Sequence, residues 1–533
     1  MKAFVNIHLQ NLFLLSALIA GVSCGGARAA TVWCVSPGGN DANAGTSWAL
    51  AKQTVQAGVN AAADGDTVFV TNGTYLLSSP VTIANAIQLT SVNGSGATIL
   101  DGQLAGRCVT INGVAAILNG FTIRNGLAVV GGGVYCNQGT VQNCLVVSNQ
   151  AVGDDYNSGE GGGVYLAYGV LSNCVVLANA AWSTNAYQAA WGGGVYCYGG
   201  LVQDCLVSNN LCSADDEYGA GVVLVGGELR NSRVVANSGI ALSGAAGGGV
   251  YATILQLSVP SLVEACVVAN NSVTVTDSWT YTAASASGGG LSIGNGTTVR
   301  STLIEGNSAK AVAGFTSGGG VSTSGSIIEN CTVTYNNATT QNGNPGGGGG
   351  VTWGYNDQCN NNIIWFNRAD NGPDNWEVNQ FSYPMFVNSD IGTFVPATNT
   401  LNCIATDPLF VNTAAGDYRL QPTSPCLNTG TNLAWMVGAL DLAGNSRIAG
   451  GMVDMGSYEH VVAGAPRLAI GRSGANVILT WPTNAVGFTL QSTTNLAPSA
   501  VWSAVFPASV VVNGQQTVTN VISGKQQFYR LSQ

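Results

Sequence analysis

The chain has 533 residues, of which 73 are glycine and only 8% are charged. Glycine weakens helices, and so few charges leave little to solvate the outer face of a helix, so the composition excludes a mainly helical soluble protein. The formal net charge of −10 excludes nucleic acid as a partner, because binding to phosphates requires an excess of Lys and Arg.

Residues 1–29 have the pattern of a cleavable secretory signal. Lys2 precedes an apolar run from Leu12 to Ala20, and small residues surround Arg28 before the predicted cleavage site. No later apolar run approaches the roughly 20 residues that span a bilayer, so the sequence predicts an exported chain without a transmembrane segment.

Residues 30–105 are predicted to form an N-terminal cap and the first coils of a larger repeat. The stretch from Ala49 to Ala63 predicts one amphipathic helix, and short β-rich runs follow it from Asp66 onward. A helix across the open end of a stack of strands would protect its edge from pairing with other chains.

Residues 106–367 contain a repeat with fixed local spacing and variable intervals. Gly-Gly-Gly-Val-Tyr begins at Gly131, Gly161 and Gly192, and variants begin at Gly219, Gly247, Gly288, Gly318 and Gly348. An asparagine ends an apolar stretch in each unit, five residues after a small or polar residue. The nine asparagines are Asn125, Asn149, Asn179, Asn210, Asn237, Asn271, Asn307, Asn336 and Asn367. Such a pattern is typical of one structural unit that is stacked many times.

The repeat predicts two columns of identical side chains. Equivalent residues of neighbouring parallel coils lie about 4.8 Å apart, so the asparagines can hydrogen-bond one another from coil to coil. Cys144, Cys174 and Cys205 share another position in three successive coils, and we expect most cysteines to be reduced core residues. Adjacent coils are close enough for one disulfide among these three.

The repeat resembles the GGA[IVL] and FxxN motifs of chlamydial polymorphic outer membrane proteins and, more broadly, the right-handed parallel β-helix family. Gly-Gly-Gly-Val-Tyr stands for the first motif, and Trp365-Phe366-Asn367 is an example of the second. This resemblance implies an all-β fold, a right-handed parallel β-helix. The chain departs from those proteins in having no predicted membrane β-barrel at its end.

Residues 368–460 are similar to the choice-of-anchor Q domain, which closes β-helices in bacterial surface proteins. The residues that carry the likeness are Asp407-Pro408-Leu409-Phe410, Ser424-Pro425-Cys426 and Asp454-Met455-Gly456-Ser457-Tyr458-Glu459. The resemblance implies display at the cell surface. In an exported protein, Cys403 and Cys426 are candidates for a disulfide.

Residues 466–533 predict a small C-terminal β-sandwich of the immunoglobulin-like or fibronectin-like kind. Apolar and polar residues alternate around Trp481, and a second alternating run surrounds Tyr529.

The variable intervals between asparagine and glycine triplet indicate loops on one side of the helix, where solenoids usually place recognition. Candidate ligand-binding aromatics in these loops are Tyr156, Trp182, Tyr187, Trp191, Tyr218, Trp279 and Tyr281. Candidate calcium ligands are Asp154, Asp155, Glu160, Asp215, Asp216 and Glu217. Carboxylates are good ligands for calcium, and exposed aromatic rings can stack on sugars. The alternative is that the acidic side chains only keep the loop tips solvated.

Catalysis is the competing hypothesis. Asp154, Asp155, Asp215 and Asp216 are the candidate catalytic residues, because an inverting hydrolase needs two carboxyls about 6.5 to 9.5 Å apart. No histidine occurs between His8 and His460, so the histidine segment of polygalacturonases is missing. The leading hypothesis is therefore an exported bacterial surface β-helix that contacts a glycan or a cell-surface partner without catalysis. A secreted polysaccharide lyase or glycoside hydrolase is the alternative, and a purely structural stalk is the third.

Overall fold

A computed structural model describes most of the chain. The described residues are 29–183, 185, 188–254, 259–276, 284–294, 296–312, 314–341, 346–370, 372–378, 382, 384–392, 399–461, 466–483, 488–496, 501–512, 514–522 and 526–532. The predicted signal, apart from residue 29, lies outside this part of the chain. No helix within it is long and apolar enough to cross a membrane.

The described strands confirm the predicted right-handed parallel β-helix. Each coil contributes one strand in turn to sheet 1, sheet 2, sheet 3 and sheet 4, and strands of successive coils pair in parallel. Sheet 1 consists of Val81–Ile83, Val109–Ile111, Val134–Asn137, Val164–Ala167, Val195–Tyr198, Val222–Val225, Val250–Thr253, Leu291–Gly294, Val321–Ser324, Val351–Trp353 and Trp376–Val378. Sheet 2 consists of Val32–Val35, Thr67–Val70, Gln88–Ser91, Ile117–Asn119, Thr140–Gln142, Val170–Ser172, Leu201–Gln203, Glu228–Arg230, Leu262–Glu264, Thr298–Arg300, Ile327–Glu329, Gln358–Asn360, Met385–Val387 and Thr400–Leu401.

Sheets 3 and 4 complete each coil. Sheet 3 consists of Gly73–Leu76, Thr98–Asp101, Thr122–Arg124, Leu145–Val147, Val175–Leu177, Leu206–Ser208, Arg233–Val235, Val267–Ala269, Leu303–Glu305, Thr332–Thr334 and Ile363–Trp365. Sheet 4 consists of Leu127–Ala128, Gln150–Val152, Ala180–Trp182, Leu211–Tyr218, Ser238–Ala246, Ser272–Val275, Ser308–Ala311, Asn337–Thr340, Arg368–Ala369 and Gly372–Pro373. Sheets 1, 2 and 3 enclose the main core, in which alternate residues such as Val146 and Val176 are fully buried.

A second ladder of short strands extends sheet 4. It consists of Gly159–Glu160, Ala190–Trp191, the last residues of Leu211–Tyr218 and of Ser238–Ala246, Ser285–Ser287 and Phe315–Ser317. The side chains buried between sheet 4 and this ladder are small, and they form cores of their own that are separate from the main core. These cores contain Ala151, Ala181, Ala190, Cys212, Ala214 and Ala220, and farther along Ala241, Ala245, Val273, Val275, Ala284, Ala286, Ala309 and Ala311. We call sheet 4 with this ladder the wing.

The glycine triplets form the narrow neck between the wing and the main core. The first glycine has positive φ, as at Gly192 with φ +66°. A Cβ on the second, Gly193, would overlap the carbonyl oxygen of Leu211 at the start of sheet 4. A Cβ on the third, Gly194, would lie 2.9 Å from the amide nitrogen of Asn210. The triplet is therefore required because backbone passes against backbone here.

Eight of the nine predicted asparagines form one continuous buried column. The Nδ2 of each, from Asn149 to Asn336, donates to the Oδ1 of the next at 2.9–3.0 Å, and its main-chain N–H donates to the same oxygen. Asn375, which the sequence pattern missed, extends the column beyond Asn367. Asn125 does not belong to it, because its amide donates to Asp101 instead.

The residues five positions before the asparagines form a second column. Their side chains accept main-chain N–H groups at another corner of the coil. Side chains of cysteine, serine, threonine or asparagine accept the N–H of the coil before, as Ser232 does from Cys205 at 3.0 Å and Asn362 from Cys331 at 2.8 Å. All 13 cysteines of the described residues are free thiols. The predicted disulfide between Cys403 and Cys426 is not formed, since the Cys426 thiol contacts Asp390 instead.

A helix covers the N-terminal end of the main core. It spans Val55–Ala61, shorter than predicted, and Thr54 caps it by accepting from the N–H of Ala57. Gly58 lies so close to Val35 of the first coil that a Cβ there would overlap the valine side chain. Short 3₁₀-helices occur at Trp48–Leu50, Thr413–Ala415 and Ala434–Met436.

Residues 402–460, here called the closing segment, lie along the outer face of sheet 3. Its hairpin, Phe410–Asn412 with Asp417–Leu420, packs on Leu303 and Ile363. The hydroxyl of Tyr418 donates to Glu305 at 2.6 Å. The segment also contains a fully buried ion pair, Arg447 with Glu459 at 2.9 Å.

The C-terminal module consists of two antiparallel sheets, as a β-sandwich requires. One sheet contains Ala469–Ser473, Asn476–Pro482, Gln515–Val521 and Val510–Val512, and the other Ser503–Ala504, Thr489–Thr493 and Phe528–Ser532. Leu479, Trp481, Leu490 and Val518 form its core, and every residue packed on them belongs to the module. The module thus has a hydrophobic core of its own.

Candidate functional site

A groove runs along the outside of the molecule at the glycine neck. Side chains from both sides of the triplets converge there, since Trp191 and Tyr218 of the wing contact Tyr251 of sheet 1. The wing contributes the residue before each triplet, and sheet 1 contributes the second residue of each strand. The wing wall contains Glu160, Trp191, Tyr218, Ala246, Ser287 and Ser317, and the sheet 1 wall contains Tyr135, Tyr165, Tyr196, Val223, Tyr251, Ser292, Ser322 and Thr352. We call this the triplet groove.

Aromatic rings fill the N-terminal half of the groove. Tyr135, Tyr165 and Tyr196 stack face to face with ring centroids 5.3 and 5.0 Å apart. From the opposite wall, Trp191 stacks on Tyr218 at 4.2 Å, and both rings contact Tyr251, at 5.8 and 5.0 Å. Most of these rings are half-buried, so they present edges and hydroxyl groups to solvent.

The charges along this half of the groove are mainly negative. Glu160 lies in register between Val130 and Trp191, and its carboxylate has no hydrogen-bond partner among the described residues. Burial, together with the charge of Glu160, raises the pKa of both Tyr165 and Tyr196, so these hydroxyls stay protonated. Burial and the charge of Asp216 raise the pKa of Tyr218 to about 12.

A single arginine stands at the N-terminal end of the described groove. Arg107 lies over the ring of Tyr135 at 5.1 Å. Its guanidinium donates to the carbonyl oxygens of Gly131 and Val130 and to the hydroxyl of Thr110. Burial lowers the pKa of Arg107. The Arg107 guanidinium thus donates to main-chain oxygens and a hydroxyl at the end of the groove, and not to a carboxylate.

The C-terminal half of the groove is lined by small hydroxyl side chains. Ser317 of the wing and Ser322 of sheet 1 face each other across it, with their oxygens 3.1 Å apart. This half is polar but carries no ring on either wall in the described coils. The groove therefore changes from aromatic to hydroxyl-lined along its length.

Three solved structures show the overall similarity of the chain to other β-helices. A pectate lyase matches with a TM-score of 0.43 and 15% identity, over 81% of this chain and 96% of that chain. A rhamnogalacturonan lyase matches with a TM-score of 0.35 and 12% identity, over 72% of this chain and 91% of that one. The pectin methylesterase of Aspergillus niger has a TM-score of 0.25 and 10% identity, over 72% and 88%. At these values the likeness concerns the fold alone.

No protein-family model matches the chain, and no curated protein matches it. The resemblances to polymorphic outer membrane protein repeats and to the choice-of-anchor Q domain therefore find no support in these comparisons. The parallel β-helix itself rests on the pairing of the described strands.

The predicted catalytic acids do not meet in the groove. Asp154 and Asp155 lie in an exposed turn at the far edge of the wing, where the Asp154 carboxylate accepts the N–H groups of Tyr156 and Asn157. These hydrogen bonds lower the pKa of Asp154, which is the signature of a turn. Asp215 lies within a register shift between Ala214 and Asp216, in a strand rather than a loop, and Asp216 accepts from Ser243 at 2.7 Å.

Glu217 points into the wing instead of toward solvent. It is fully buried, and its carboxyl oxygens have no hydrogen-bond partner among the described residues. The carboxyl occupies the space above Gly239 of the next coil, because a Cβ there would overlap it. Burial raises the pKa of Glu217 well above its ordinary value. The alternation of the strand after the shift turns this residue inward.

The six predicted calcium ligands are therefore not assembled. Glu217 is inside the wing, Asp154 caps its own turn, and Glu160 lies in the groove. Within the described part of the chain, no three His, Cys, Asp or Glu side chains are placed to hold a metal ion.

Two of the predicted ligand-binding aromatics lie in the groove, Trp191 and Tyr218. Tyr156 is 87% exposed at the edge of the wing, and Trp182 is half-buried on sheet 4. Tyr187, Trp279 and Tyr281 lie outside the described residues. The sequence analysis missed Tyr135, Tyr165, Tyr196 and Tyr251, although the tyrosine of Gly-Gly-Gly-Val-Tyr was visible. Because a strand alternates its faces, the residue after the buried valine must point outward.

Proposed function

We propose that this protein is an exported bacterial surface β-helix that binds an extended glycan in the triplet groove without cleaving it. The observation that carries the proposal is the convergence of Trp191, Tyr218 and Tyr251 from two walls onto one concave surface. Half-exposed aromatic rings with hydroxyl groups suit ligands that combine apolar faces with many hydroxyls. Export is supported by the signal-like pattern of residues 1–29, and surface display by the sequence resemblances.

The proposal includes no cleavage of the glycan because of where the acidic side chains lie. Hydrolysis requires two carboxyls on either side of one bond. Of the predicted catalytic acids, Asp154 and Asp155 lie in an exposed turn at the edge of the wing, and Asp216 accepts from Ser243. Glu160 and Asp216 both belong to the wing side of the groove, so they do not lie on either side of one bond. A lyase or hydrolase remains the alternative, and the same experiment tests it.

The purified mature chain is incubated with a panel of neutral and anionic polysaccharides, with calcium and with a chelator. We expect retention of the protein on at least one polymer, with no new reducing or unsaturated ends and no effect of chelation. Trp191→Ala and Tyr218→Ala should each weaken retention at least about tenfold, which corresponds to ~1.4 kcal/mol.

Tyr355→Ala is the matched control, because Tyr355 is 61% exposed at a different corner. The melting temperatures of all variants are measured to verify that each substitution leaves the protein folded. Retention that is the same in Trp191→Ala, Tyr218→Ala and the wild type would contradict the groove as the binding site. New chain ends that appear with the wild type would favour the alternative.

A further inference from the structure

The repeat distance of the groove is set by the β-helix. Neighbouring coils are about 4.8 Å apart, and the stacked rings of Tyr135, Tyr165 and Tyr196 repeat at 5.3 and 5.0 Å. This is about the length of one pyranose unit in an extended chain. A ligand that lies along the axis would therefore meet an equivalent side chain at each sugar.

The groove offers this ligand hydrogen bonds and one positive charge, that of Arg107 at its N-terminal end. The tyrosine hydroxyls stay protonated and both donate and accept. Arg107 is the cation of the described aromatic half, and three of its five N–H groups donate to two carbonyl oxygens and a hydroxyl. In the coils that follow, the charge that acts on Tyr165 and Tyr196 is that of Glu160.

Glu160 makes the same surface repel anions. Its carboxylate is half-buried, has no hydrogen-bond partner among the described residues, and lies near enough to Tyr165 and Tyr196 to affect both hydroxyls. Asp216 adds a second negative charge beside Tyr218 two coils farther on. A half-buried charge acts through a lower effective dielectric than an exposed one. Burial also raises the pKa of Glu160, so its repulsion of a bound anion increases as the pH rises.

We propose that the triplet groove selects neutral, extended glycans, one sugar per coil, and that the carboxylate of Glu160 excludes polyuronates while accepting hydrogen bonds from sugar hydroxyls. This inference rests on the proposed function and names the ligand class of the same site. Glu160 acts here as a specificity-determining residue.

A matched pair of ligands tests the inference. β-1,4-Mannohexaose and β-1,4-hexamannuronate have the same linkage and length and differ in the carboxylate at C6 of each sugar. Binding of both to the full mature chain is measured by calorimetry at low and moderate ionic strength. We expect mannohexaose to bind and hexamannuronate to bind at least about tenfold more weakly, with a gap that narrows as salt screens the charges.

Glu160→Gln keeps the shape of the side chain and one acceptor oxygen, replaces the other oxygen by a donor NH2 group, and removes the charge. We expect this variant to narrow the difference between the two ligands severalfold, mainly by binding hexamannuronate better. Asp155→Asn is the matched control, because it removes the same charge from an exposed turn at the edge of the wing and should leave the ratio unchanged.

The outcomes separate the inference from the function on which it rests. Tighter binding of hexamannuronate than of mannohexaose, or an unchanged ratio in Glu160→Gln, overturns the inference and leaves glycan binding intact. Failure of both hexamers to bind also overturns it. Glycan binding itself is then judged by retention on the polysaccharide panel, in which Trp191→Ala is the deciding variant.

Discussion

At the scale of the residue, the asparagine column shows why one side chain recurs through the whole β-helix. Its amide can accept two N–H groups and donate to two oxygens at once, which satisfies both its own chain and the next coil. Asn210 accepts from the N–H and the Nδ2 of Asn179, and donates to Val176 and Asn237. Aspartate, serine or alanine at this position would leave some of these buried groups without a partner.

Asn210→Ala is therefore expected to be strongly destabilising. The change leaves two donors of Asn179 without their acceptor in the interior, at about 1–3 kcal/mol for each, and it removes a donor to Val176. The oxygen of Asn237 keeps the main-chain N–H of residue 210. Urea denaturation followed by circular dichroism should show a loss of at least about 3 kcal/mol in the free energy of unfolding.

Asn125→Ala is the control for this prediction. Asn125 has the same sequence signature but only one hydrogen bond from its amide, to the carboxylate of Asp101, and lies half-buried outside the column. We expect Asn125→Ala to lower the free energy of unfolding by less than half as much as Asn210→Ala. Equal losses in the two variants would mean that the column does not carry the stability assigned to it.

The same residues show what the sequence can and cannot reveal. The spacing of the asparagines predicted the column, because equivalent positions of a repeat must stack. It could not separate Asn125 from the rest, since the difference depends on where Asp101 lies in the preceding coil. Nor could it place Glu217, because one register shift between Ala214 and Asp216 decides which of the neighbouring acids points inward.

At the scale of the element, the wing combines a core of small side chains with one buried acid. Alanine and glycine allow sheet 4 and the second ladder to approach closely. Where Gly239 leaves space, the carboxyl of Glu217 fills it. A carboxyl without hydrogen bonds is tolerated there only in its neutral form.

This arrangement predicts a stability that falls as the pH rises. The folded-state pKa of Glu217 lies well above the ordinary value of 4.5, so between these two values the folded state retains a proton that the unfolded state releases. The free energy of unfolding therefore decreases from about pH 4.5 upward until the folded-state pKa is passed. Glu217→Gln removes this dependence, so the variant should gain stability relative to the wild type as the pH increases.

Urea titrations at a series of pH values between 4 and 9 measure this difference. Burial also raises the pKa of Glu459 to about 8, with the same sign, but that contribution is common to both proteins and cancels in the difference. Glu264→Gln, in an ion-paired network with Arg230 and Arg300, is a control for a carboxylate that is stabilised by charge. A difference between Glu217→Gln and the wild type that does not change with pH would contradict the buried neutral acid.

At the scale of the whole molecule, the described chain divides into a β-helix, with its main core and the smaller cores of the wing, and a C-terminal module with a core of its own. The β-helix is covered at its first coil by the helix Val55–Ala61 and along sheet 3 by the closing segment. The C-terminal module packs only on itself, around Leu479 and Trp481. A module whose core contacts no other part of the described chain can unfold as a separate unit.

Removal of residues 462–533 should therefore leave the β-helix intact. Differential scanning calorimetry of the mature chain is expected to show two transitions, and the shortened chain should lose one of them and keep the temperature of the other. A β-helix that melts at a lower temperature after the removal would show that the module stabilises it.

The fold of the chain was predictable to a greater extent than its site. Stacked glycine triplets and asparagines dictate a parallel β-helix, and alternation around Trp481 dictates a sandwich. The site was sought in the variable loops, because loops usually carry recognition. The structure instead places a cluster of aromatic rings at the most regular position of the repeat, beside Gly192, where regularity suggested only architecture.

The neck at the glycine triplets has a consequence for how such a molecule can change. The chain passes from the wing to sheet 1 at the same position in each coil with a triplet. The atoms in contact there belong only to adjacent coils. Insertion or loss of an entire turn would leave the others undisturbed and would lengthen or shorten the cleft by one step. The number of sugars in a bound oligomer would thus change by one for each coil that is gained or lost.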